Sequence, residues 1–251
     1  MYTKVKTKQE IDNLRIAGKM CAEVLSTMKL EVKPGISTKK LADIARKQLA
    51  NKGGSPAFLG YHEFPDVICI SVNDEVVHGI PKITTIIKAG DIVSFDFGVI
   101  YNGMIVDNAI SVLVDSDDSE KKRLLENTKK SLEAGLSVLK DNCKTGDIGQ
   151  AVEKVLNREK LGIVRDLVGH GVGHAIHEEP NIPNYGEAGT GFKLKSGMTI
   201  AIEPMATLGS ENIFVDKDKW TVKTTDKSLS AHFEQTVLIK KNGYEILTPF
   251  L

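Results

Sequence analysis

Cysteine is scarce: Cys21, Cys69 and Cys143 are the three in 251 residues, far apart and without a Cys-x-x-Cys pair. An odd, scattered set excludes a disulfide framework and reads as reduced thiols. An excess of charge is missing too, because 33 Lys plus Arg balance 33 Asp plus Glu. Bulk charge therefore asks for no polyanionic partner such as nucleic acid. No run of about 18 apolar residues occurs, and the stretch MYTKVKTKQEIDNLRIAG has no apolar signal-type segment. These absences predict a soluble, cytoplasmic protein with no membrane partner. The length is ample for a large core.

Apolar residues at Ile11, Leu14, Ile16, Ala17, Met20, Cys21, Val24, Leu25 and Met28 predict a helix over 7–28, opened by a capping box from Thr7 to Glu10. Pro34-Gly35 ends that unit. A second helix is predicted over 37–49 and a strand over 67–72, and a long hairpin over 91–114 turns at Asn102-Gly103. The order then restarts, with helices over 119–139 and 146–158, a strand over 198–203 and a hairpin turning at Asn242-Gly243. KAGDIVSFD (88–96) matches KSGMTIAIE (195–203), and KPGISTKKLADIARKQL (33–49) matches KTGDIGQAVEKVL (144–156). The internal match predicts one α/β domain over 1–251, built from pseudo-symmetric halves of approximately 1–115 and 116–251. Asp96 and Glu203 are then counterparts.

Three of the six histidines fall within GHGVGHAIHEEP, residues 169–180. His170 and His174 have the i, i+4 spacing of helix-borne zinc ligands, but Gly169, Gly171 and Gly173 argue against a helix. In an extended strand His170 and His174 share a face and His177 points away, although the glycines can bulge the chain and re-aim any of them. Local spacing leaves the choice open.

The first hairpin supplies partners. With a two-residue turn at Asn102-Gly103, Tyr101 pairs with Met104, Gly98 with Asp107, and Asp96 with Ala109. Asp96 and Asp107 then share a face as diagonal neighbours, with Gly98 leaving space beside them. Two carboxylates among Val, Ile and Phe are costly unless something compensates them. Glu203 closes the apolar run MTIAIE, and Glu234 is a lone carboxylate in SLSAHFEQTVLI. Four oxygen donors with one histidine suit two divalent ions of the Mn, Fe(II) or Co type better than a structural zinc.

Asp96, Asp107, GHGVGHAIHEEP with His170, IEP at 202–204 with Glu203, and AHFEQT at 231–236 with Glu234 resemble the metal-binding signature of type I methionine aminopeptidases. NDEVVHGIP with His78, LGYHEFPDVICIS and WTVKTTDKSLSAHFE extend the resemblance over almost the whole chain. The resemblance implies a pita-bread fold and removal of the initiator methionine from nascent proteins whose second residue is small. It implies a monomer acting near the ribosome on polypeptide N-termini. Two divalent ions (Co, Fe(II) or Mn) would share Asp107 and Glu234, with Asp96 completing one site and His170 with Glu203 the other.

On the same resemblance, a metal-activated water attacks the first peptide carbonyl and Glu203 exchanges the proton. His177 contacts the carbonyl oxygen, His78 lies near the scissile amide, and His174 takes no role beyond supporting its loop or meeting solvent. Tyr61, Phe64, Cys69 and Trp220 match positions lining the methionine pocket. Phe58 and Ile176 depart from forms found in the family, a smaller residue and an aromatic respectively, which puts the pocket's shape in doubt. The large Tyr2 implies that Met1 is retained. Rival readings are a proline-directed aminopeptidase of the same fold, which carries an additional N-terminal domain, and a metal-free binding module.

Overall fold

The computed structural model describes residues 1–251. Helix α1 (Lys8–Glu31) starts at the Thr7 cap, whose side chain accepts from the Glu10 amide while the Glu10 carboxylate accepts from the Thr7 amide. It runs past the predicted end, through Leu30 and Glu31 to a Val32 cap. Helix α2 (Thr38–Ala50) is capped by Ser37, α3 (Ser119–Ser137) by Asp118, and α4 covers Thr145–Arg158.

Eight strands form the main sheet: β1 (Cys69–Val72), β2 (Ile92–Asp96), β3 (Asn108–Leu113), β4 (Gly169–Gly171), β5 (Glu178–Ile182), β6 (Thr199–Ile202), β7 (Glu234–Lys240) and β8 (Gly243–Ile246). Their spatial order is β5-β4-β6-β7-β3-β2-β1, with β8 paired to β7. All of these pairings are antiparallel. The start of β7 pairs with β3, at Glu234 with Ala109, whereas its later part pairs with β8.

Pleating gives the sheet two unlike faces. Phe95, Ile110, Ile202 and Val237 enter one large apolar core together with Leu14, Val24 and Leu25 of α1 and Leu124, Leu132 and Leu136 of α3. The alternate residues face the other way and include Asp96, Ala109, Ala201 and Glu234. Helices therefore cover one face, and the other is left to polar groups.

The hairpin has the predicted register, with Tyr101 opposite Met104 and Asp96 opposite Ala109. Positive φ at both Asn102 (47°) and Gly103 (77°) gives the turn the twist of its strands. The ladder is interrupted at Phe97-Gly98 and Asp107, and its outer part joins Ser55–Pro56 in a separate small sheet. Gly98 does not serve to clear Asp107: a Cβ there would stand 2.8 Å from the Ala57 Cβ and 2.9 Å from the Phe58 ring. The last hairpin also differs from expectation. Lys240 pairs with Gly243, so the loop is Lys241-Asn242 and Gly243 already belongs to β8.

Candidate metal centre and adjoining pocket

Register places the candidate ligands. Across adjacent strands, Cys69, Asp96, Ala109 and Glu234 form one row, and His170, Ala201 and Thr236 another. Directly opposed residues of antiparallel strands share a face, and Glu234 and Thr236 are two apart on β7. Both rows thus line the side away from the helices. The small Ala109 and Ala201 separate the larger side chains and leave the space between them open. Asp107 lies at the break in the hairpin, where its amide receives no ladder partner and donates instead to the Thr236 hydroxyl at 2.9 Å. That hydroxyl donates in turn to the Asp107 carbonyl at 2.8 Å.

Asp107, His170 and Glu234 bring ligand atoms within 4.8 Å of one another. Glu203, just beyond β6, sets Oε1 3.5 Å from His170 Nε2, and Glu234 Oε1 lies 3.9 Å from the same nitrogen. Asp96 stands outside the tight trio but lines the same cavity of about 80 Å³. Asp96 Oδ1 and Glu234 Oε1 are buried without a hydrogen-bond partner.

Burial pushes the Glu203 carboxyl up to about 8 and that of Asp96 to about 7. Burial, then mutual repulsion, drives Asp107 and Glu234 well above the usual carboxylate range. Burial likewise lowers His170 to about 3 and His78 to about 4, which keeps both imidazoles neutral. The ion-pair contacts made by Glu203 and Glu234 are to histidines, not to lysine or arginine. Three buried carboxylates and the half-buried Glu203, without a cationic side chain and beside a neutral imidazole, have the donor chemistry that divalent cations need.

The same cavity is lined by His78, His177, Tyr61, Phe64, Cys69 and Trp220, so every candidate residue converges on one site. Phe58, Phe64, Cys69 and Ile176 form a separate small apolar cluster there, with Trp220 and Tyr61 packed against it. Edge-on aromatic contacts link Phe58 to Phe64 at 6.5 Å and Phe64 to Trp220 at 5.1 Å between ring centroids. The Tyr61 hydroxyl is 2.9 Å from His177 Nδ1. His177 also sets its ring edge-on to that of His170, 4.5 Å between centroids.

His174 points away from the cavity and binds Glu10 at the start of α1, Nε2 to Oε1 2.7 Å. This is the loop-supporting place expected for it. His232 received no role from sequence. It is nonetheless buried, with Nε2 3.5 Å from Glu203 Oε2. Its only sequence signal was a position two residues before Glu234.

The model of metallopeptidase family M24 matches residues 12–241. A methionine aminopeptidase of Aquifex aeolicus is 43% identical, the match covering 99% of each chain. The crystal structure of a methionine aminopeptidase from Rickettsia prowazekii superposes with a TM-score of 0.96 at 39% identity, covering 98% of this chain and 100% of that one. A prolidase from Pyrococcus furiosus shares the fold with a TM-score of 0.79 at 24% identity, and this chain spans 65% of its length. With the family match extending over most of the chain and the full-length relatives agreeing with it, this protein belongs to metallopeptidase family M24.

Proposed function

We infer that this protein is a metal-dependent aminopeptidase, a hydrolase that removes the N-terminal methionine from polypeptides. The observation that carries the reading is a single cavity in which four carboxylates and His170 adjoin an aromatic and sulfur-lined pocket. A pocket of Phe, Tyr, Trp and Cys suits a polarizable thioether. The full-length relatives at about 43% identity support the same substrate and favour neither a proline-directed peptidase nor a metal-free binding module.

Asp96, Asp107, His170, Glu203 and Glu234 would hold two divalent ions of the Co, Fe(II) or Mn type. Bound there, such ions polarise a carbonyl and bring the pKa of water toward neutrality. Glu203 accepts the proton of the attacking water and returns it to the leaving amine. His177, oriented by Tyr61, donates to the carbonyl oxygen as negative charge grows on it. His78 stands beside the scissile amide nitrogen. Phe58, Tyr61, Phe64, Cys69 and Trp220 receive the methionine side chain and fix its carbonyl relative to these groups.

No helix is long and apolar enough to cross a membrane. The substrates are the N-termini of nascent chains, and the protein acts on them in the cytoplasm as a monomer near the ribosome. The test is anaerobic cleavage of Met-Ala and Xaa-Pro peptides with Fe(II), Mn(II) or Co(II) added separately. Release of methionine with at least one metal, and no Xaa-Pro cleavage, is the expected result. Preferential Xaa-Pro cleavage would overturn the substrate assignment, and metal-independent turnover the chemistry.

A further inference from the structure

Resting on the metal-site reading above, we propose that His232 is the positioning residue of Glu203, its Nε2–H holding one carboxylate oxygen so that the other faces His170. The Glu203 carboxylate lies between two imidazoles, with Oε1 3.5 Å from His170 Nε2 and Oε2 3.5 Å from His232 Nε2. His170 lines the cavity, whereas His232 is only 1% exposed and sits behind the carboxylate. Both ring nitrogens of His232 are buried without a hydrogen-bond partner. A buried imidazole with no partner is costly, and natural interiors rarely leave one so.

Its backbone is fixed more firmly than its ring. The His232 amide donates to the Ser111 hydroxyl at 2.9 Å, which donates back to the His232 carbonyl at 2.9 Å. His232 also pairs with Met205, two residues beyond Glu203. The ring is thus carried by a rigid segment tied both to β3, the strand beside Asp107, and to the segment that follows Glu203. A 3.5 Å separation is a contact rather than a hydrogen bond. Hydrogen bonds of catalytic groups are often this long without substrate and tighten only in the Michaelis or transition-state complex.

Glu203 has two duties in the reading above, metal ligand and proton carrier, and each requires a fixed carboxylate plane. A neutral imidazole donating to Oε2 supplies that orientation from the side that substrate does not reach. Outer hydrogen-bond partners of this kind typically change metal affinity or activity by about 10–100-fold when removed. The N–H donor, rather than the ring's bulk, is what the role needs, and Gln can supply it where Leu cannot.

The experiment measures Mn(II) binding by calorimetry to chelator-stripped wild type, His232→Leu, His232→Gln, Asp107→Ala and His170→Ala, with kcat and KM on a Met-Ala peptide. His232→Leu is expected to bind Mn(II) about 10–100-fold more weakly and to lose kcat at nearly constant KM, while His232→Gln retains both. Electron spin echo spectra of the Mn(II) protein should show one coordinated imidazole, and the same one in His232→Gln. Two coordinated imidazoles in wild type would make His232 a ligand and overturn the proposal. Equal losses in the Leu and Gln variants would reduce it to packing, and wild-type behaviour of His232→Leu would remove its role. If Asp107→Ala and His170→Ala also bind Mn(II) as wild type does, the metal-site reading itself fails.

Discussion

His177 and His170 sit ring edge to ring face, yet their surroundings assign them different chemistry. His177 Nδ1 is engaged by the Tyr61 hydroxyl, and with Tyr61 donating there, Nε2 keeps the hydrogen and can donate to a carbonyl oxygen. Such a donor strengthens as charge develops, so His177→Ala should lower kcat by about 10²–10³ with little change in KM. Metal content should stay normal, which metal analysis of the same sample checks. A raised KM at normal kcat would make His177 a binding residue. His170→Ala, Asp96→Ala and Glu234→Ala should instead lose metal and activity together, because each removes a proposed ligand. Full activity with unchanged metal in Asp96→Ala would end its assignment as a ligand. His174→Ala should keep most activity, since that ring holds Glu10 on the outside of the loop.

At the scale of elements, Gly98 shows how a strand's interruption shapes the pocket. Its missing Cβ is filled by Ala57 and the edge of the Phe58 ring, with Ile176 Cδ1 at 3.3 Å. Gly98→Ala should press Phe58 into the proposed methionine pocket, raising KM for Met-Ala peptides more than it lowers kcat. Overpacking of this kind costs about 1–3 kcal/mol of stability, measurable by urea unfolding. An unchanged KM would mean that the Phe58 ring yields outward. The hairpin's register was legible because Asn-Gly fixes the turn and a period of two propagates from it, which is why Asp96 falls opposite Ala109. The break at Phe97-Gly98 was not legible, since it depends on packing by the distant Ala57, Phe58 and Ile176. The candidate ligands of the second half are legible as motifs, but their approach to the first half follows from Glu234 pairing with Ala109 and Ala201 with both His170 and Thr236. Those are contacts between residues far apart in sequence, and local periodicity carries no information about them. His232 was not legible for the same reason: its surroundings are set by Glu203, brought beside it only by the fold.

Over the whole molecule, the cost of gathering four carboxylates in one buried cavity becomes a dependence of stability on pH. Glu203 and Asp96 have their carboxyls raised to about 8 and about 7 from ordinary values of 4.5 and 3.8. The folded metal-free protein therefore holds protons that the unfolded chain has released, and this contribution is lost as pH rises through 7 to 8. His170 and His78 act in the opposite sense, because their folded values of about 3 and about 4 lie below the ordinary 6.5. Their effect is largely complete once pH exceeds that ordinary value. Burial raises the Cys21 thiol above its usual 9.0, and it enters only at the alkaline end. Between about pH 6.5 and 8.5 the carboxylates thus set the sign, and the melting temperature of chelator-stripped protein should fall across this window. Mn(II) should reverse the fall, since it favours the ionised carboxylates and has fewer protons to displace at the higher pH. At a free concentration of about 100 Kd, binding to the folded state alone adds about 2.7 kcal/mol. At roughly 2–4 °C per kcal/mol for a chain approaching this size, that is a rise of about 5–11 °C. Thermal melts at both pH values, with and without Mn(II), make the measurement, with Asp107→Ala as the control that should lose the Mn(II) shift. A metal-free melting temperature that rises toward pH 8.5, or an Mn(II) shift larger at pH 6.5, would mean that the buried carboxylates are not the groups whose charge the metal offsets.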